Sequence, residues 1–249
     1  MNLLAIGNSY SDDATALLSQ VAAADNVHIN AVNLFEGGCS LEKHIDNLEN
    51  NRASYIYEEN GILTDRRVTS EEVLKENHWD IITIQQASRF SGILDSFFPY
   101  AEQLLAFAKS LSPDSKFYFH QTWAYERDFR NEWFNAYSFS QEKMFEAIFS
   151  ASFRVASRLK TGMIRTGEVI QALRAKKPFD YENGGISLNR DGLHLSLTYG
   201  RLAAALSYYT AVTGNDVRGN TFAPEGTAPD IAQLVRETVY EVYSRKVYL

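Results

Sequence analysis

Asn2-Leu3-Leu4-Ala5-Ile6-Gly7-Asn8-Ser9-Tyr10-Ser11 is the stretch on which the reading of this chain turns. An apolar run that ends at a glycine has the pattern of a strand buried on both faces. Ser11, Asp12 and Asp13 then supply a cap and first-turn acids, and Ala14, Leu17, Leu18, Val21 and Ala22 follow at helical spacing. Strand, tight turn and helix are therefore predicted before Asp25.

The same unit recurs downstream. Val27 to Leu34 reads as a second strand, followed by a Gly37-Gly38 break and a short helix near Leu41 to Leu48. Thr69 or Ser70 caps a helix carrying Glu72 and Leu74, and Trp79 to Ile84 is a β-branched strand. A helix opening at Ser96 stops near Ser112-Pro113, and Lys116 to Gln121 is the fourth strand. Gln141 to Lys160 is a long helix with Met144, Ile148, Ala151, Val155 and Leu159 on one stripe and Phe145, Phe149 and Phe153 on the next. Gly162 to Ile164 is a weak fifth strand, and a short helix follows to about Ala175. A loop from Lys177 to Leu195 leads to a helix from Ser196 to Val212, and a last helix starts after Pro229.

Strands alternating with helices predict βαβ units. The expected fold is α/β, a three-layer α/β/α sandwich around a five-stranded parallel sheet, with residues 1–249 in one domain. Two segments stand outside the repeat. Asn50 to Arg67 reads as a long polar connection. Trp123 to Phe139 is rich in aromatics and fits equally a substrate wall or an outer helix packed on the core by its aromatics.

Composition narrows the function. The chain has 249 residues, 45% hydrophobic and 22% charged, as in ordinary globular proteins. Its 24 basic and 31 acidic residues give a net charge of -7, which argues against nucleic acid or an anionic membrane as partner. The single cysteine, Cys39, excludes an internal disulfide framework. Met1 to Gly7 has no basic segment and is too short for a signal peptide, so a cytoplasmic location is expected, with export of a longer precursor left open. His28, His44 and His78 have no ligand-like spacing, and no Walker A or Gly-x-Gly-x-x-Gly pattern follows a strand. No metal and no cofactor are predicted.

In an open parallel sheet the ligand site lies beyond the carboxyl ends of the strands. Ser9 follows the first strand, Gly38 the second, and Gln85-Gln86 the third. Asp191 and His194 are three residues apart and can turn both side chains toward one crevice. A serine hydroxyl becomes nucleophilic when a base removes its proton, and a carboxylate orients that base. The Ser9 and Gly38 N–H groups, with a Gln85 or Gln86 amide, are candidate donors to an oxyanion. Tyr10, Trp123 and Tyr125 are candidate substrate-binding residues. His120 reads as a half-buried strand-end residue. Phosphate binding at the first helix is disfavoured because Asp12 and Asp13 would repel an anion.

In this order the blocks resemble the SGNH hydrolases, the GDSL-like lipase/esterase superfamily, in a branch with Gly-Asn-Ser and Gln-Gln blocks. Gly7-Asn8-Ser9 stands where the family has Gly-Asp-Ser. Gly38 matches the block that supplies a glycine N–H, and Asp191-Gly192-Leu193-His194 matches the closing Asp-x-x-His block. The resemblance implies a flavodoxin-like SGNH fold, with Ser9 as nucleophile, His194 as base and Asp191 as its partner. It further implies a serine esterase acting on a small acyl group, such as acetyl on a carbohydrate. Two departures stand out. Asn8 replaces an aspartate, and WDIITIQQAS (Trp79 to Ser88) lacks the asparagine that completes the family's oxyanion hole. The latter leaves a non-catalytic carbohydrate-binding protein as the alternative.

Overall fold

The computed structural model of the protein describes residues 1–245. In chain order its first half comprises β1 (Asn2–Ile6), α1 (Ser9–Thr15), α2 (Leu18–Ala24), β2 (Asn30–Phe35), α3 (Leu41–Glu49), β3 (Tyr55–Glu59), β4 (Ile62–Val68), α4 (Ser70–Glu76) and β5 (Ile81–Ile84). The second half comprises α5 (Tyr100–Leu111), β6 (Lys116–His120), α6 (Gln141–Leu159), β7 (Gly162–Ile164), α7 (Thr166–Arg174), α8 (Tyr199–Thr213) and α9 (Pro229–Ser244).

The apolar run of β1 is buried on both faces because helices cover both sides of the sheet. Leu3 and Ala5 enter one core, beneath α1, α2, α7, α8 and α9. Leu4 and Ile6 enter the other, beneath α3, α4 and α5. The long helix α6 closes the sandwich at the β7 edge, giving Met144 and Ile148 to the first core and Ala151 and Val155 to the second.

The sheet has seven strands in the order β4-β3-β2-β1-β5-β6-β7. From β2 to β7 all neighbours are parallel, which is the five-stranded array expected. The expected sheet was incomplete: Asn50 to Arg67 is not a long irregular connection but carries the hairpin β3–β4, which adds two antiparallel strands beside β2. The hairpin turns on Asn60 and Gly61, whose φ values of 51° and 79° are both positive. That is the two-residue turn whose twist matches paired strands, and Asn-Gly is its favoured sequence. A Cβ at Gly61 would lie 2.7 Å from the Ala16 carbonyl oxygen, so the turn also needs glycine for its close approach to the end of α1. Exposed Asp65, Arg66 and Arg67 charge the outer strand β4 and discourage further pairing at this edge.

Three local expectations are also corrected. The helix after Ser9 is two, broken at Ala16–Leu17. The helix expected from Ser96 starts at Tyr100, after a short 3-10 turn at Leu94–Ser96 and Pro99. Trp123 to Phe139 is irregular chain with turns and one 3-10 helix, Glu132–Tyr137, rather than an outer α-helix. Trp123, Tyr125 and Phe134 are fully buried, so this segment packs largely on the core.

The connections of β1 and β5 run in opposite directions across the sheet. The chain leaves β1 toward β2 on one side, and leaves β5 toward β6 and β7 on the other. The ligand crevice of an α/β sheet lies at such a reversal, and Ser9 stands there, just past the carboxyl end of β1. Among the described residues no helix is long and apolar enough to cross a membrane.

Candidate active site

Ser9 is the first residue of α1, half-exposed at the carboxyl end of β1. Asn8 holds the turn. Its side-chain oxygen accepts the Tyr10 N–H at 2.9 Å, and its own N–H donates to Ser11 Oγ at 2.9 Å, so the two residues cap each other. The Asn8 amide nitrogen donates to the Cys39 carbonyl at 2.9 Å and ties this turn to the loop after β2. An aspartate has no such donor, which gives the Asn8 departure a physical reason.

The closing loop brings the base to the nucleophile. The Ser9 hydroxyl lies 3.0 Å from His194 Nε2, and His194 Nδ1 lies 2.7 Å from Asp191 Oδ2. Asp191 Oδ1 also accepts the N–H groups of Leu193 and His194, at 2.9 and 2.6 Å. Partial burial pushes the Asp191 carboxyl up. The hydrogen bonds from the His194 ring and from these two N–H groups outweigh that and hold it below the usual range. An ionised Asp191 that receives Nδ1–H leaves Nε2 free to take the Ser9 proton.

This loop is clamped from several sides. Gly192 has φ 79°, and a Cβ there would lie 2.6 Å from the Phe129 ring. Its carbonyl accepts the Glu126 N–H at 2.8 Å, and the Leu193 carbonyl accepts Trp123 Nε1 at 3.0 Å. From below, the fully buried Asp13 carboxylate accepts the Leu195 N–H at 2.8 Å, together with Arg190 and Arg201 at 2.8 Å each. Asp13 went unrecognised in the sequence as part of the site. Its signal was its spacing: four residues beyond Ser9, it shares the nucleophile's face of α1.

Several expected contributors are placed elsewhere. Gln85 is buried, its amide nitrogen donating to Asn8 Oδ1 at 2.8 Å and its oxygen 2.6 Å from His120 Nδ1. Gln86 donates to the Ser96 carbonyl at 2.9 Å and accepts the Leu41 N–H at 3.1 Å. Both amides brace loops rather than face the crevice. His120 is fully buried rather than half-buried. With Nδ1 donating to Gln85, its Nε2 accepts from the Thr166 hydroxyl at 3.1 Å, and burial lowers its pKa to about 3. It is a neutral link in a polar chain under the site.

The aromatic candidates are likewise beneath the site rather than lining it. Tyr10, Trp123 and Tyr125 are all buried. Tyr10 stacks on Trp123 with ring centres 4.0 Å apart and sets its edge toward His194, while the Tyr125 hydroxyl bonds Ser88 at 3.0 Å. They hold the loop in place and offer no surface to a substrate. Gly38 is exposed, with φ 65°, and its N–H has no acceptor among the described residues. A polar cavity of about 350 Å³ lined by Glu126, Gln141 and Arg174 does not include Ser9 or His194.

Beside α1 lies an acid pair, the buried Glu58 and the half-buried Asp12. Glu58, on β3, accepts the Asn33 amide at 2.7 Å. Burial, then the charge of Asp12, pushes its carboxyl up to about 8, and burial also raises Asp12 despite Arg201. Between the ordinary glutamate value of 4.5 and about 8 the native state binds more protons than the unfolded chain. Stability therefore falls as pH rises through that window. Thermal unfolding should show a lower Tm at about pH 8.5 than at about pH 5. Glu58→Gln, which mimics the protonated form, should flatten this slope; equal slopes for the two proteins would refute the assignment of this proton to Glu58.

Residues 2–242 match the model of the DUF4886 family, a domain of unknown function. A DUF4886 protein from Bacteroides uniformis is 34% identical with a TM-score of 0.91, covering 100% of this chain and 97% of that one. A candidate SGNH hydrolase from Slackia heliotrinireducens is 18% identical with a TM-score of 0.59, over 85% of this chain and 98% of that one. A catalytic mutant of Axe2, an acetylxylan esterase from Geobacillus stearothermophilus, is 12% identical with a TM-score of 0.52, over 90% and 96%. No curated protein matches. The fold is thus one shared with SGNH hydrolases. The chain itself belongs to the DUF4886 family.

Proposed function

We propose that the protein is a serine esterase that hydrolyses an oxygen ester, with a small acyl group such as acetyl carried on a carbohydrate. The observation that carries this reading is the continuous contact from the Ser9 hydroxyl through His194 to Asp191. His194 Nε2 takes the Ser9 proton as Oγ attacks the ester carbonyl, and Asp191 offsets the imidazolium charge. The Ser9 and Gly38 N–H groups receive the oxyanion. His194 then protonates the leaving alcohol, and a water molecule, deprotonated by the same nitrogen, releases the acid and restores Ser9.

With Gln85 and Gln86 bonded elsewhere, this oxyanion hole has two donors. One fewer donor costs about 3 kcal/mol of transition-state stabilisation. A modest turnover on simple esters is therefore expected.

An alkyl fluorophosphonate probe tests the reading directly. Covalent labelling should map by peptide mass spectrometry to Ser9 and should compete with p-nitrophenyl acetate. A folded protein that neither labels at Ser9 nor releases p-nitrophenol would end the esterase reading. Retained carbohydrate binding would then favour a non-catalytic module.

A further inference from the structure

Ser88, Arg89 and Phe90 form the turn that follows β5. Arg89 Nη1 donates to the Gly38 carbonyl at 3.2 Å, on the loop that follows β2. β1 lies between β2 and β5, and Ser9 stands at its end. The Arg89 side chain thus bridges the two loops on either side of the one that carries the nucleophile. Neighbouring strands sit about 4.8 Å apart, so a bridge over the middle strand takes a long side chain at nearly full reach.

The guanidinium also lies against two aromatic rings. Its carbon lies 4.7 Å from the Phe90 ring centre and 5.5 Å from that of Trp133, which is 41% exposed. Contact with the two rings restricts the side chain before any ligand arrives, so less side-chain entropy remains to be lost on binding. Among the described residues Arg89 forms no ion pair, and the Gly38 carbonyl is its hydrogen-bond partner. In a chain of net charge -7, an unpaired cation at the mouth of the site is a specific arrangement. A guanidinium with free N–H groups matches a carboxylate.

On the esterase reading above, we infer that Arg89 selects an acidic sugar: the carboxylate of an acetylated uronic-acid-type residue binds its guanidinium while the ring of that sugar lies on Trp133. The acetyl ester is then presented to Ser9 between the two flanking loops.

The experiment compares acetate release from an O-acetylated methyl glucuronoside with that from the equally acetylated methyl glucoside, using the full chain. Wild type should prefer the acidic sugar by about 10-fold or more in kcat/KM, mainly through KM, because a hydrogen bond to a charged group contributes about 1.5–3 kcal/mol. The preference should shrink as salt is raised. Arg89→Gln should collapse the ratio of the two substrates toward one, and Arg89→Lys should restore part of it. No preference in a wild type that still hydrolyses p-nitrophenyl acetate would overturn the inference and leave the esterase reading standing. An Arg89→Gln loss equal on both sugars would also overturn it, since that is the mark of a support for the Gly38 loop. Failure on every ester, p-nitrophenyl acetate included, would instead sink the esterase reading on which the inference rests.

Discussion

Replacing His194 with alanine should lower kcat for p-nitrophenyl acetate by roughly 10⁴- to 10⁶-fold, the range seen when the base of a serine hydrolase is removed. The imidazole does two things that no neighbour can take over. Its Nε2 is 3.0 Å from the Ser9 hydroxyl, and its Nδ1 is held by Asp191 in the tautomer that leaves Nε2 basic. His120, the other ring at the carboxyl ends of the strands, is buried, neutral and bonded at both nitrogens, so it cannot substitute. Ser9→Ala should fall as far, and the double variant no further, because the two side chains act on one proton. Asp191→Asn should lose less, since its carboxylate is about half-exposed and water can partly replace it. The folded state should hardly notice His194→Ala, as the ring is only partly buried and its partners lie at the surface. Steady-state kinetics with a melting curve on each variant checks this. A loss below about 10-fold with Tm unchanged would remove His194 from the mechanism.

Where the sequence was legible, the determinants are local. The β1–α1 turn needs an apolar run, a cap and a first helical residue, and all three lie within ten residues of one another. Asp191 and His194 meet because a glycine at positive φ closes a tight loop between them. Where it was not, the determinants are partners distant in the chain. The direction of the Gln85 amide is set by Asn8 and His120, and that of Gln86 by Ser96 and Leu41. Strand alternation at Ile84 says nothing about such partners. Tyr10, Trp123 and Tyr125 were placed near the site and do lie near it, but under it. Residue type alone does not distinguish an aromatic that touches substrate from one that supports a loop. The hairpin is a different case. Asn60-Gly61 is a strong local turn signal, but the charged outer strand and buried Glu58 break the usual polar/apolar alternation that would have drawn attention to it.

Asp13→Ala should destabilise the protein by about 3 kcal/mol, the lower end of the range for removing one partner from a buried ion pair. The lower end applies because Arg190 and Arg201 keep 33% and 19% of their side-chain surface and recover some hydration when the carboxylate is gone. What they do not recover is a partner with the same geometry. One Asp13 oxygen takes both guanidinium groups, and the other takes the buried Leu195 N–H, which is left without an acceptor. For a chain of this length the cost corresponds to a fall in Tm of roughly 6–12 °C. Asp13→Asn keeps the shape but offers an N–H toward two cations or toward the Leu195 N–H, so it should fall close to the alanine variant. The site is coupled to this loss, because Leu195 follows His194 directly and its N–H anchors the loop on α1. At a temperature where the variant is fully folded, kcat should still drop while KM changes little, since the base is displaced from Ser9 and the substrate surface is untouched. An Asp13→Ala protein that melts within about 2 °C of wild type would show that the carboxylate is not the keystone of this loop. One that melts early yet retains full kcat when folded would separate the stability of α1 from the placement of His194.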